Sequence, residues 1–102
     1  METTFVNNNL AFKLDNGTTI ITDGDAEFEY RSHIKGFQCT VPNNWITLHG
    51  KDKDGNFYTA WYYVEDEIEE GYDMMHYIDF ENPHDITDDY NHVIYEKEYE
   101  NK

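Results

Sequence analysis

The chain has 102 residues and a formal net charge of −15, with 38% apolar and 17% aromatic side chains. This length holds one small domain, and the aromatic content separates the chain from disordered acidic tails, which lack the side chains needed to offset chain entropy. A field of this sign repels a phosphate backbone and the seven Lys and Arg are scattered, so direct nucleic-acid binding is disfavoured.

Met1 to Asn9 offers neither the basic nor the apolar region of a secretory signal, and no apolar run is long enough to span a bilayer. A cytoplasmic location is therefore expected, in the host cytoplasm if the gene is a phage's. Leu10, Phe12 and Leu14 alternate with Ala11 and Lys13, Asp15-Asn16-Gly17 supplies residues that tolerate positive φ, and Thr18 to Thr22 returns as a β-branched strand. Asp23-Gly24-Asp25 predicts a second turn. Beyond it, Ala26, Phe28 and Tyr30 face one way and Glu27, Glu29 and Arg31 the other.

Between His33 and Asn44, Phe37, Cys39 and Val41 alternate as a short strand punctuated by Gly36 and Pro42. Cys39 is the only cysteine. It forms no intramolecular disulfide and reads as a small buried hydrophobe. A further hairpin runs from Trp45–His49 through Lys51–Asn56 into Phe57–Val64, whose aromatic and β-branched residues occupy both faces of the second strand. That predicts a central strand, with one face on the core and the other under a helix or a partner. Asp52, Asp54 and Asn56 invite a calcium reading, but an EF-hand loop needs Gly at its sixth position and Glu at its twelfth, where this chain has Phe57 and Tyr63. The Asp54-Gly55 dipeptide favours a plain hairpin turn.

From Val64 the period changes. Val64, Ile68, Tyr72 and Met75 lie at helical spacing and predict a short acidic helix, with Gly71 as an interruption or a C-terminal cap. Asn82-Pro83 reads as a second helix start, followed by Ile86, Tyr90, Val93 and Ile94, with Asp85, Asp88 and Asp89 near the positive end of the dipole. Val93 to Tyr99 fits a strand equally well by alternation. The expected fold is α+β: a small twisted antiparallel sheet built from hairpins, with one or two short acidic helices in the C-terminal half of a single domain spanning residues 1–102.

No phosphate loop, paired cysteine ligands or nucleophile elbow is present, and no cofactor is called for. His76, Asp79, His84, Asp85, Asp88, Asp89 and His92 contain the makings of a two-His-one-carboxylate site. Their spacing matches no ligand motif, and solvated polar surface is the favoured reading. Paired carboxylates for glycosidase-type chemistry would need a concave site with a shifted acid, so the chain is not read as an enzyme.

Charge is distributed unevenly. Residues 1–62 hold eight carboxylates against five Lys and Arg, and residues 63–102 hold fourteen against two. Carboxylates at alternate strand positions, about 6.6–6.8 Å apart, approximate the charge density of a duplex strand, which advances about 3.4 Å per phosphate. Glu65, Asp66, Glu67, Glu69, Glu70, Asp73, Asp79, Glu81, Asp85, Asp88 and Asp89 are the candidate phosphate or base-edge stand-ins against a partner's Arg and Lys. Tyr62, Tyr63, Tyr72, Tyr77 and Tyr90 are the candidate aromatic anchors.

In composition, and in the runs Glu65-Asp66-Glu67-Ile68-Glu69-Glu70 and Asp85-Ile86-Thr87-Asp88-Asp89-Tyr90, the chain resembles phage-encoded acidic inhibitors: anti-CRISPR proteins, anti-restriction DNA mimics and uracil-DNA glycosylase inhibitors. The resemblance implies a stoichiometric inhibitor that occupies the nucleic-acid-binding surface of a host defence nuclease. For an anti-CRISPR, a Cas9-type nuclease offers PAM-reading arginines and a basic channel as targets. The expected partner is thus a basic DNA- or RNA-binding nuclease, with no membrane involved. An immunity or antitoxin protein that neutralises a basic toxin nuclease uses the same electrostatics, and a phage structural or scaffold component is the reading from a different class.

Overall fold

Seven strands in chain order make one antiparallel sheet in this computed structural model, which describes residues 1–31, 43–64, 78–90 and 92–97. They are β1 (Glu2–Val6), β2 (Asn9–Lys13), β3 (Thr19–Arg31), β4 (Asn43–Lys51), β5 (Phe57–Val64), β6 (Asp85–Asp88) and β7 (Val93–Glu96), each hydrogen-bonded to the next. The sheet curls into a half-barrel. The β1–β2 register sets the N-terminal ammonium of Met1 beside Asp15 at 2.9 Å, and the curvature brings Asp15, in the β2–β3 turn, close enough to Tyr95 on β7 to contribute to raising its pKa, after burial itself.

The expected α+β class is overturned, because the described residues contain strands and turns but no helix. The helix expected after Asn82-Pro83 is instead strand β6, a turn, and strand β7. Ile86 sits between Ala60 and Tyr95 in register and is fully buried, so burial between two neighbouring strands overrides the weak helical spacing. Pro83, also fully buried, stands just before β6, where its missing N–H removes no ladder bond. The acidic helix expected from Val64 and the short strand around Cys39 lie outside the described residues.

Turn chemistry explains the hairpins. Asn7 and Asn8 take positive φ of 51° and 69° and close β1 onto β2, as a two-residue turn requires. Asp15, Asn16 and Gly17 form the expected turn, closed by Gly17 N–H to Leu14 C=O at 2.9 Å and Leu14 N–H to Thr18 C=O at 2.8 Å. Asp23-Gly24-Asp25 departs from expectation: it is an irregularity within one long strand, where pairing with β4 shifts between Thr22 and Ala26. A bulge here bends β3 and helps the sheet curl.

The inner face carries the core. Phe12, Leu14, Ile20, Ile46, Leu48, Ala60, Tyr62, Val64 and Ile86 form one buried cluster, flanked by Leu10, Ala26, Tyr58, Ile78, Phe80 and Tyr95. Each fully buried large side chain contributes about 1.5–3 kcal/mol. The predicted central position of β5 is observed, between β4 and β6 with both of its faces buried at Trp61 and Tyr62. On the outer face Trp45 packs edge-on against Trp61 at 5.9 Å, Tyr63 at 5.3 Å and His84 at 5.4 Å between ring centroids. Buried Thr47, Asp85 and Thr87 belong to the same face.

Candidate functional site

The β6–β7 turn is built by one carboxylate. Asp88 Oδ1 accepts from the backbone N–H of Tyr90 at 2.9 Å and of His92 at 2.8 Å, and its Oδ2 lies 3.2 Å from His92 Nδ1. Partial burial pushes the Asp88 pKa up, but the bonds from His92 and Tyr90 outweigh it and the net shift is downward. With Asp88 turned inward on its own loop, Asp89 and Tyr90 are left at the apex, and Tyr90 is 80% exposed.

The β4–β5 turn beside it follows the same plan. The Asp52 carboxylate accepts from Asp54 N–H, Asn56 N–H, the Asn56 side-chain amide and the Tyr58 hydroxyl, at 2.8–3.0 Å. The Asn56 amide is the largest cause of a fall in its pKa to about 2. Gly55 turns at φ 85°, and Phe57 follows with half its surface in solvent. The calcium-like Asp52, Asp54, Asn56 run is thus a self-contained hairpin turn.

Between the two turns lies an open crevice of about 440 Å³, with Asn56, Phe57 and Tyr58 on one side and Asp88, Asp89 and Tyr90 on the other. A second crevice of about 350 Å³ continues from Phe57 and Asp89 to Asp23 and His49. This rim pairs exposed aromatic rings with carboxylates. Lys51 stands beside it, its Nζ 5.5 Å from the Phe57 ring centre.

A different part of the inner face holds Asp79 and Glu81. Asp79 Oδ1 accepts from Glu81 N–H at 3.0 Å and Oδ2 from the Asn82 amide at 2.6 Å. Both residues edge a cavity of about 340 Å³ walled by Phe5, Leu10, Ala26, Leu48, Ile78 and Phe80.

The residues singled out from sequence therefore divide. Asp88, Asp89 and Tyr90 share the rim, and Asp79 and Glu81 share the cavity edge. Tyr62 and Asp85 are buried and are structural: the Tyr62 hydroxyl donates to Phe80 C=O at 2.7 Å, and Asp85 Oδ1 lies 3.8 Å from His84 Nε2. Tyr63 is half-buried against Trp45. Glu65, Asp66, Glu67, Glu69, Glu70, Asp73, Tyr72 and Tyr77 lie outside the described residues. The seven-residue His and Asp constellation does not converge, since buried His84 and Asp85 sit on the outer face and Asp88 and His92 close a turn, while His76 lies outside the described residues. Among the described residues no group of three His, Cys, Asp or Glu is placed to hold a metal ion, and no described helix is long and apolar enough to cross a membrane.

Sequence reasoning missed Phe57, Asp54 and Phe5. Asp54 is part of the Asp-Gly turn and Phe57 opens the strand after it, where strand ends are exposed, and Phe5 stands two residues before the Asn7-Asn8 turn. Comparison of the chain with protein-family models, with curated proteins and with solved structures finds no match.

Proposed function

We propose that the protein is a stoichiometric inhibitor that binds a basic, nucleic-acid-binding protein, with a nuclease as the leading candidate, through the rim formed by the β4–β5 and β6–β7 turns. The observation that carries this reading is the placement of exposed Tyr90 and Phe57 across one crevice from each other, with Asp88 and Asp89 lining it. Aromatic side chains are enriched at binding hot spots, and the exposed carboxylate of Asp89 beside them suits a partner's guanidinium. A net charge of −15 steers such a partner toward the protein.

Of the run Asp85 to Tyr90 that carried the resemblance to acidic phage inhibitors, Asp89 and Tyr90 serve this role and Asp88 holds their turn, whereas Asp85, Ile86 and Thr87 are inside. The test is a cleavage assay on purified DNA nucleases, Cas9-type enzymes included, with the protein added before or after substrate DNA. Inhibition that titrates at one equivalent and is relieved by excess duplex supports the reading. Inhibition insensitive to duplex argues against occupation of a nucleic-acid surface.

A further inference from the structure

The inner-face cavity beside Asp79 and Glu81 is separate in its lining from the rim crevices. Among the described residues its lining is mostly apolar, with Asn8, Asn9 and Thr22 as polar members, and the charged side chains are those two carboxylates. Phe5 is 61% exposed although it stands opposite Leu10 in the β1–β2 register, on the inner face. An aromatic ring left half in water at the mouth of an apolar cavity is surface that a ligand would cover.

The walls are fixed before anything binds. The Tyr62 hydroxyl holds Phe80 C=O at 2.7 Å, and the two rings meet at 5.3 Å. Thr22 Oγ1 donates to Leu10 C=O at 2.7 Å on the opposite wall. Asp79 closes the Glu81 turn as described above. A preformed site avoids the ordering cost that weakens adaptable ones. At about 340 Å³ the space is at the lower limit for a small-molecule site and suits a single large side chain. Carboxylates at its edge and the strongly negative chain select a positively charged carrier for that side chain.

We propose that this cavity receives one large apolar side chain, of tryptophan or similar size, presented by a lysine- and arginine-rich segment of the partner protein, whose charges meet Asp79 and Glu81. The proposal rests on the reading of the protein as a binder of basic partners, and adds a second, apolar point of attachment to it. It predicts that basic charge alone engages the rim, and that an apolar anchor within the basic segment is needed to engage the cavity.

The test is an NMR titration of the full chain with three synthetic peptides: Arg-Lys-Trp-Lys-Arg, the same with Ser for Trp, and Gln-Gln-Trp-Gln-Gln. The Trp-containing basic peptide should shift resonances of Leu10, Leu48, Ile78 and Phe80 and bind at least about tenfold more tightly than the Ser peptide. Glu81→Gln, at an exposed position, should weaken it several-fold and leave the fold unchanged. Ala26→Phe, which fills the cavity from β3, should abolish the cavity shifts, and Glu81→Gln provides the readout if that variant does not fold. Equal binding of the Ser peptide, with shifts confined to Asp89 and Tyr90, overturns the cavity proposal while the acidic rim stands. Equal binding of the neutral peptide in the cavity overturns the basic requirement and with it the proposal. Absence of shifts at both places overturns the cavity and the rim together.

Discussion

The indole Nε1–H of Trp61 donates to the Thr87 hydroxyl at 3.0 Å, tying central strand β5 to β6 on the buried outer face. Replacing Thr87 with Val keeps the shape and removes that acceptor from a site closed to water. The expected loss is about 1–2 kcal/mol of unfolding free energy, read as a lower urea midpoint with an unchanged slope. Thr87→Ser should retain most of the stability, and if the Ser and Val variants melt together the bond contributes little.

Gly50 is a second point of close approach. A Cβ there would lie 2.8 Å from the backbone oxygen of Ile21 and 2.9 Å from Ile20 Cγ2, because β4 passes β3 closely beside the register shift at Thr22. Backbone cannot give way as a side-chain tip can, so Gly50→Ala should cost about 1–3 kcal/mol. A thermal melt within a degree of the parent would show that β3 slides aside freely.

Alkaline pH should unfold the protein through its tyrosines. Burial raises the Tyr58 hydroxyl to about 12, with Asp52 adding to the shift, and burial raises Tyr62 further in the same direction. Folded values above the unfolded value near 10 mean that this stability is complete below pH 10 and is lost as pH climbs through 12. At the acid end the sign reverses for Asp52, held at about 2: its contribution is present above pH 4 and disappears as pH falls through 2. Circular dichroism from pH 9 to 12.5 should show Tyr62→Phe losing structure later than the parent, and coincident transitions would assign the alkaline unfolding to other groups.

Charge reversal at the rim separates binding from folding. Asp88 and Asp52 build their turns, so their replacement perturbs structure. Asp89 and Asp54 are exposed, and Asp89→Lys with Asp54→Lys should slow association with a basic partner by about tenfold at low salt, the difference narrowing as salt rises. Tyr90→Ala should act on the dissociation rate instead. Stopped-flow rates identical to the parent in both variants would place the interface elsewhere.

Two of the turns are legible in the sequence, whereas Asp23-Gly24-Asp25 reads as a turn and is an irregularity within β3, and the Asn7-Asn8 turn goes unread. Asp15-Asn16-Gly17 and Asp54-Gly55 announce themselves because few residues reach the backbone angles required, and the aromatic and β-branched run from Phe57 to Val64 marks a strand buried on both sides. Asp85 to Asp88 reads as helix and is strand, and Val93 to Glu96 reads as either, because four-residue strands carry too few side chains to separate a period of 2 from one of 3.6. The deciding feature is a pairing with Tyr58–Trp61, nearly thirty residues away in sequence. For the site, acidic composition identified Asp89 and Tyr90, but it gave equal weight to Asp85, whose burial depends on Trp61 and His84 packing around it. Composition also draws attention away from the less acidic residues 1–62, which supply Phe5, Asp54 and Phe57.

A sheet in which every strand pairs with its neighbour in the chain also sets how the molecule assembles. Hairpins β1–β2, β2–β3 and β4–β5 close over short turns, whereas β6 must cross residues 65–84 to reach β5, and long closures are the slow ones. We expect β6 and β7 to dock last, after the β2–β5 core has formed. Ile86→Val should then raise the unfolding rate and leave the folding rate nearly unchanged, and matched slowing of folding would put β6 in the nucleus instead. Late docking would make the β6–β7 turn, with Asp89 and Tyr90 at its apex, the last part of the surface to be completed, so a binding-competent rim would report that folding has finished.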